Sequence, residues 1–232
     1  MREVSFQRGY LLYPDGSCLA SYGNTKVICT AVIEEKVPKF LEGQGRGWIS
    51  AEYAMLPGST SGGRKRRELL KKDGRSTEIQ RLIGRSLRAA VHLDRLGEVS
   101  IQVDCDVIQA DGGTRTAAIS GSYVALRDAL TSLAESRGVE GPDHFLKGSL
   151  GAVSVGIVEG RIVCDLDYRH DSQAEVDMNV VQLDDRLVEV QGAGEQGTFS
   201  RQELNSLLDS AAEGIAEVFA AQKAAFAGRR GR

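Results

Sequence analysis

Apolar and polar residues alternate one by one from Val99 through Ser100, Ile101, Gln102, Val103, Asp104, Cys105 and Asp106 to Val107, the period of a strand with one buried face. The alternation breaks at Asp111-Gly112-Gly113. Ile119, Tyr123, Leu126, Leu130 and Leu133 then fall on one face at helical spacing, which predicts an amphipathic helix ending near Gly138. The same helical period appears twice more. Thr77-Glu78-Ile79-Gln80 has the form of a capping box, opening a run whose Ile79, Leu82, Ile83, Ala90 and Val91 give the buried face. Ser200-Arg201-Gln202-Glu203 caps another, in which Leu204, Leu207, Leu208, Ala211, Ile215, Val218 and Phe219 face the core. Strand-like runs cover residues 16–20, 26–33, 48–53, 152–158, 161–167, 176–181 and 186–190, with turn residues at Gly23-Asn24-Thr25 and Glu159-Gly160. Residues 168–175 lack either period and are expected to form a loop. Strands running into helices, twice over, predict an α+β protein with mixed sheets backed by helices. The connection at 139–151, with Pro142, divides a first domain (1–138) from a second (151–227), packed together as one globular unit.

Composition narrows the class. The chain has 232 residues, 41% hydrophobic and 26% charged, with 27 glycines, enough for a sizeable core and many tight turns. A net charge of −3 means that a nucleic-acid partner needs a local basic patch. One exists: Arg64-Lys65-Arg66-Arg67 with Lys71-Lys72 is the densest basic segment, and Arg81, Arg85 and Arg88 extend it along the following helix. Such a run is either a solvated loop face or an electrostatic guide for a single strand. Cys18, Cys29, Cys105 and Cys164 are scattered without a C-x-x-C pair, so neither zinc nor disulfides are suggested. With no apolar run of membrane-spanning length and no signal-peptide pattern at the N-terminus, a reducing cytoplasm is the expected location.

The candidate chemistry is anion binding. At Gln109-Ala110-Asp111-Gly112-Gly113-Thr114-Arg115-Thr116 a strand turns sharply into a helix. There the first-turn N–H groups, the Thr114 hydroxyl and the Arg115 guanidinium suit a phosphate. Arg75 stands just ahead of the predicted helix start at Thr77 and offers a second anion-binding position. Asp171 and Asp177 flank one loop-to-strand junction, and two hard oxygen donors there can hold a magnesium ion that keeps most of its waters. The simpler alternative is solvated or capping aspartates. His92, His144 and His170 lie in separate elements with neither metal spacing nor a nucleophile partner. Residues 58–64 lack the lysine and Ser/Thr of a nucleotide-binding loop. No covalent nucleophile is evident, so the attacking group would come from a substrate.

Gly45-Arg46-Gly47-Trp48-Ile49-Ser50-Ala51-Glu52-Tyr53, Gly74-Arg75 followed by Glu78-Ile79-Gln80-Arg81-Leu82-Ile83, Asp104-Cys105-Asp106-Val107 with the Gln109-to-Thr116 segment, and Asp177-Met178-Asn179-Val180-Val181 closely resemble the bacterial ribonuclease PH family. The likeness runs in order along nearly the whole chain. It implies the fold shared with the second domain of ribosomal protein S5. It also implies a phosphate-dependent 3′-to-5′ exoribonuclease that trims RNA, especially precursor tRNA, releases nucleoside diphosphates and adds nucleotides in reverse. The resemblance further implies a homohexamer built as a trimer of dimers. Carried over residue by residue, Arg75 with Gly113, Thr114 and Arg115 binds phosphate. Asp171 and Asp177 hold Mg2+ and, with Arg115, serve catalysis, while Arg64, Lys65, Arg66 and Arg67 face RNA. A non-catalytic RNA-binding ring subunit is the alternative that degenerate relatives suggest. Two departures stand out: the chain starts at Met1-Arg2-Glu3-Val4 without the family's Asp-Gly-Arg segment, and Gly58 occupies a position where arginine is common.

Overall fold

The computed structural model describes residues 1–64 and 74–228. Two sheets form. The first has five strands in the order β1 (Val4–Arg8), β2 (Gly16–Tyr22), β3 (Thr25–Glu34), β5 (Ser100–Gln109) and β4 (Trp48–Met55). All neighbours are antiparallel except β4 and β5, which run parallel because helix α1 (Gly74–Ala89) crosses between them. The second sheet is an antiparallel four-stranded unit in the order β7 (Arg161–Cys164), β6 (Leu150–Val158), β8 (Val176–Leu183) and β9 (Arg186–Gly194). Helix α2 (Thr114–Arg137) follows β5, a single turn α3 (Tyr168–Asp171) follows β7, and α4 (Arg201–Ala227) follows β9.

The period-two residues of β5 behave as their alternation requires: Ile101, Val103, Cys105 and Val107 are buried, and Gln102, Asp104 and Asp106 point to the opposite face. Helix α2 differs from its expected amphipathic form. It lies between β2 and β3 of the first sheet and β6 of the second, and Ala117, Ala118, Ser120, Ser122, Val124, Ala125 and Ala129 are buried together with the predicted apolar face. Small residues hid this face from a hydrophobicity pattern, because they permit close approach without looking strongly apolar. Asp128 on the same helix is wholly buried and is paired with Arg8 at 2.5 Å. Arg8 also donates to the carbonyls of Ala225 and Phe226, satisfying acceptors at the C-terminal end of α4.

Three local expectations are corrected. Helix α1 already runs at Gly74, so Thr77 lies inside it and Arg75 belongs to the helix rather than preceding it. The strand expected to reach residue 167 stops at Cys164, since Asp165 takes φ +62° and Asp167 becomes the N-cap of α3, accepting from the His170 N–H at 2.9 Å. The loop expected at 168–175 therefore opens with a helical turn. The capping box at Ser200 and Glu203 forms as predicted.

Candidate active site

At the Gly112-Gly113 turn the two halves come together at the start of α2. Both glycines have positive φ, +71° and +63°, which other residues rarely adopt. A Cβ at Gly112 would collide with the main chain of Leu166 and Asp167, so only glycine lets the end of β5 approach the segment after β7 this closely. Thr25 braces the turn: its hydroxyl donates to the Gly112 carbonyl at 2.6 Å and accepts from the Asp111 N–H at 3.0 Å. The Asp111 carboxylate accepts from the Asn24 amide at 3.1 Å and from the Tyr168 N–H at 3.3 Å. Arg2 adds the strongest tie. Its Nε and Nη2 donate to Asp165 at 2.8 and 2.6 Å, and its Nη1 donates to the Asp111 carbonyl at 2.5 Å.

These ties set the start of α2 at one wall of a cleft of about 720 Å³. Gly113 is the N-cap and carries no side chain to cap the first turn, leaving that turn's N–H groups for an anion. The Thr114 hydroxyl accepts a hydrogen bond from buried Tyr53 at 2.9 Å, which leaves its own proton to donate outward. Burial keeps the Tyr53 hydroxyl protonated by pushing its pKa up. Arg115 is held by Glu78 of α1 at 3.3 Å. Arg75, one turn of α1 before Glu78, lines the same cleft.

Asp171 and Asp177 line the cleft from the second half of the chain. Asp171 ends α3, and Asp177 sits on β8, paired with Gly156 and Ala193 of its neighbouring strands. Neither carboxylate takes part in a hydrogen bond or ion pair among the described residues. Desolvation first, and then the charge of Asp171, push the Asp177 carboxyl up to about 6 against the pull of Arg115 and Arg75. Desolvation also raises Asp171, opposed by Arg75 and Arg115. Two unpaired hard-oxygen groups, crowded together beside an anion pocket, fit a divalent cation that completes its shell with water and phosphate oxygens. No third His, Cys, Asp or Glu joins them in a metal-binding group among the described residues.

The sequence-predicted Arg75, Gly113, Thr114, Arg115, Asp171 and Asp177 thus all line one cleft, joined by Arg64. Lys65, Arg66, Arg67, Lys71 and Lys72 lie outside the described residues. The basic face expected along α1 is interrupted. Arg85 is engaged by Glu189 at 2.5 Å, and Arg88 lies over the Trp48 ring at 4.4 Å while donating to the Ile49 carbonyl. Sequence reasoning missed Tyr53 and Tyr168, Thr60 to Gly63, Ser154, Asn179 and Glu195, which also shape the cleft or its groups. Asn179 was open to detection, since it stands two residues from Asp177 and so on the same face of a strand. The neighbouring Asp165 and Asp167 carboxylates do other work: Asp165 holds Arg2, and Asp167 caps α3 and engages His170 Nδ1 at 2.7 Å.

A mixed α+β fold carrying paired arginines, a Gly-Gly-Thr-Arg turn and two unpaired aspartates defines a phosphate-handling enzyme class. Residues 1–131 match the model of the 3′ exoribonuclease family, domain 1, and residues 148–214 match that of domain 2. The chain belongs to this 3′ exoribonuclease family. It is 54% identical over 226 residues to the ribonuclease PH of Corynebacterium diphtheriae, a match that takes in 97% of this chain and 93% of that one. On that footing it is a phosphorolytic 3′-to-5′ exoribonuclease, an enzyme of the nucleotidyltransferase class, rather than a non-catalytic ring subunit. Two solved structures share the fold at low identity. Rice Rrp46 has a TM-score of 0.79 at 16% identity, covering 98% of this chain and 96% of its own. The Archaeoglobus fulgidus exosome with RNA bound to the active site has a TM-score of 0.76 at 20% identity, covering 94% and 87%. The fold expected from the resemblance is the one observed.

Proposed function

We propose that this cleft seats inorganic phosphate as the attacking group and the last linkage of an RNA, chiefly a tRNA precursor, as the group attacked. The observation that supports it best is that Arg75, Thr114 and Arg115 share a single cleft with Asp171 and Asp177. Arg75 and Arg115 neutralise and orient the phosphate, aided by the Thr114 hydroxyl and the first turn of α2. A phosphate oxygen then bonds, in line, to the phosphorus of the terminal linkage. The bond from that phosphorus to the 3′ oxygen of the penultimate nucleotide breaks, and the terminal nucleotide leaves as a nucleoside diphosphate. The freed 3′ oxygen takes a proton. Asp171 and Asp177 would hold a magnesium ion, whose chemistry when bound is to neutralise charge on the phosphoryl and leaving oxygens. Read backwards, the same steps add nucleotides from diphosphates.

Arg64 lines the cleft, and the basic sequence Arg64-Lys65-Arg66-Arg67 would guide the RNA strand toward it. The working form is a homohexamer, a trimer of dimers, in the cytoplasm. Support for assembly comes from Leu12 and Tyr13, which are 75% and 95% exposed in the β1–β2 connection beside Tyr10 and Leu11, an apolar patch unsuited to water. The four unpaired cysteines agree with a reducing compartment.

Replacing Arg115 by alanine tests the assignment. Removing a charge-assisted partner of phosphate is expected to raise the KM for phosphate at least about tenfold with an unchanged fold by circular dichroism. An unchanged phosphate KM would refute the role given to Arg115.

A further inference from the structure

Among the described residues lining the cleft, Tyr168 is the single aromatic one. It is 57% exposed, and among the described residues neither ring nor hydroxyl engages a partner. Its ring therefore offers an uncovered π-face at the wall of a polar cleft. The turn that carries it is fixed from two sides. Its own N–H is tied to the Asp111 carboxylate at 3.3 Å, and Asp167, immediately before it, holds both the N–H and the ring of His170. Tyr168 is thereby set in register with the phosphate turn through Asp111, and with Asp171, three residues later on the same helical turn.

The cleft also has room to spare. At about 720 Å³ it is of the size that encloses a whole small ligand rather than one phosphate. Beside Gly62, one of its lining residues, the space is open, since an added Cβ there would meet nothing within 4 Å. We infer that Tyr168 is a stacking platform for the base of the 3′-terminal nucleotide, a nucleobase subsite adjoining the phosphate pocket. Stacking on a phenol ring uses the π-face that every base has, so the subsite accepts any of the four bases. It orients the terminal nucleotide so that its phosphorus faces the phosphate held by Arg75 and Arg115. This inference rests on reading the cleft as the seat of the terminal linkage.

The test uses the full-length protein and a short RNA whose 3′-terminal base is 2-aminopurine, mixed without phosphate so that no turnover occurs. Stacking is expected to quench the fluorophore on the wild-type protein and on Tyr168→Phe, and to leave it bright on Tyr168→Leu at saturating protein. In turnover with phosphate, Tyr168→Leu is expected to raise the KM for RNA by about 5- to 150-fold while the KM for phosphate stays within about twofold. Tyr168→Phe should match the wild type in both. Persistent quenching or an unchanged RNA KM in Tyr168→Leu would overturn the proposal. So would a Tyr168→Phe variant as impaired as Tyr168→Leu, which would assign the role to the hydroxyl. The underlying reading has its own readout: wild-type protein that forms no nucleoside diphosphate from phosphate and RNA contradicts that reading, whereas diphosphate formation with an insensitive Tyr168→Leu contradicts the stacking platform alone.

Discussion

Arg2 and Asp165 make a two-pronged ion pair, 2.6 and 2.8 Å long, across 163 positions of sequence, and the Asp165 side chain is fully buried. Burial opposes the Arg2 charge, yet Asp165 holds its pKa above the ordinary value. Because the third arm of Arg2 reaches the Asp111 carbonyl, the pair clamps the Gly112-Gly113 turn of the first half to the segment after β7 in the second. Arg2→Ala leaves the buried Asp165 without its guanidinium, keeping only the residue-2 main-chain N–H at 3.0 Å, which costs about 3 kcal/mol of stability, and frees the turn. The expected signature is a higher KM for phosphate at temperatures where the variant is still folded, with partial recovery in Arg2→Lys, which restores charge without the fork. Phosphate titrations of both variants check it.

Asp177 predicts the acid limb of activity. Its carboxyl ionises at about 6 in the folded protein, above the usual carboxylate range, and only the ionised form can hold a cation. Activity should rise with pH through about 6 and level off about one unit higher. Magnesium, which favours the ionised form, should move that limb to lower pH as its concentration is raised. For stability the sign is opposite. The folded state binds the Asp177 proton more tightly than the unfolded chain, so the contribution of this group is fully present below the unfolded pKa of about 4 and is lost as pH rises through about 6. Asp177→Asn should therefore be inactive and yet more stable at about pH 8, by about 1 kcal/mol after allowing for partial solvent exposure. Thermal melts on either side of the Asp177 transition read the difference.

In the proposed function, Glu78 would compete with phosphate for Arg115. The 3.3 Å pair keeps the guanidinium poised while the cleft lacks an anion, and binding phosphate requires sharing it. Glu78→Gln removes the competing charge. The KM for phosphate is expected to fall about two- to fivefold, the range of a partly exposed pair, and the gain should shrink at high salt. A rise in KM would show instead that Glu78 is needed to position Arg115.

The core offers a stability test away from the cleft. Arg8 neutralises Asp128 inside α2 and caps the carbonyls at the end of α4. Arg8→Ala should lower stability by about 3 kcal/mol, since it removes the charge that neutralises a buried carboxylate together with the donors to the α4 carbonyls. The double variant Arg8→Met with Asp128→Leu should recover most of that loss. Denaturant unfolding distinguishes the two.

How much of this was legible beforehand follows from the range of the interactions. The β5 alternation, the Gly-Gly turn, the capping box at Ser200 and the strand carrying Asp177 are local patterns, and each stands where the sequence placed it, whereas Asp171 ends a helical turn in place of the expected loop. The Tyr168 bond to Asp111, the Tyr53 bond to Thr114 and the Arg2 clamp on Asp165 join residues 57 to 163 positions apart. No local periodicity carries such information. The all-round burial of α2 was hidden for a different reason: alanine, serine and glycine are read as neutral by hydrophobic patterning but are what a helix needs when sheets close on it from two sides. The start of α1 was misplaced because Thr77 and Gln80 imitate a cap inside a helix that already runs at Gly74.

In the proposed function phosphate, seated by Arg75, Thr114 and Arg115, is the attacking group. The most direct measurement is identification of the nucleotide released from a 3′-tailed RNA by the purified protein with magnesium, in the presence and absence of inorganic phosphate. Nucleoside diphosphates formed only when phosphate is present are predicted. Release of monophosphates, or trimming at the same rate without phosphate, would contradict it.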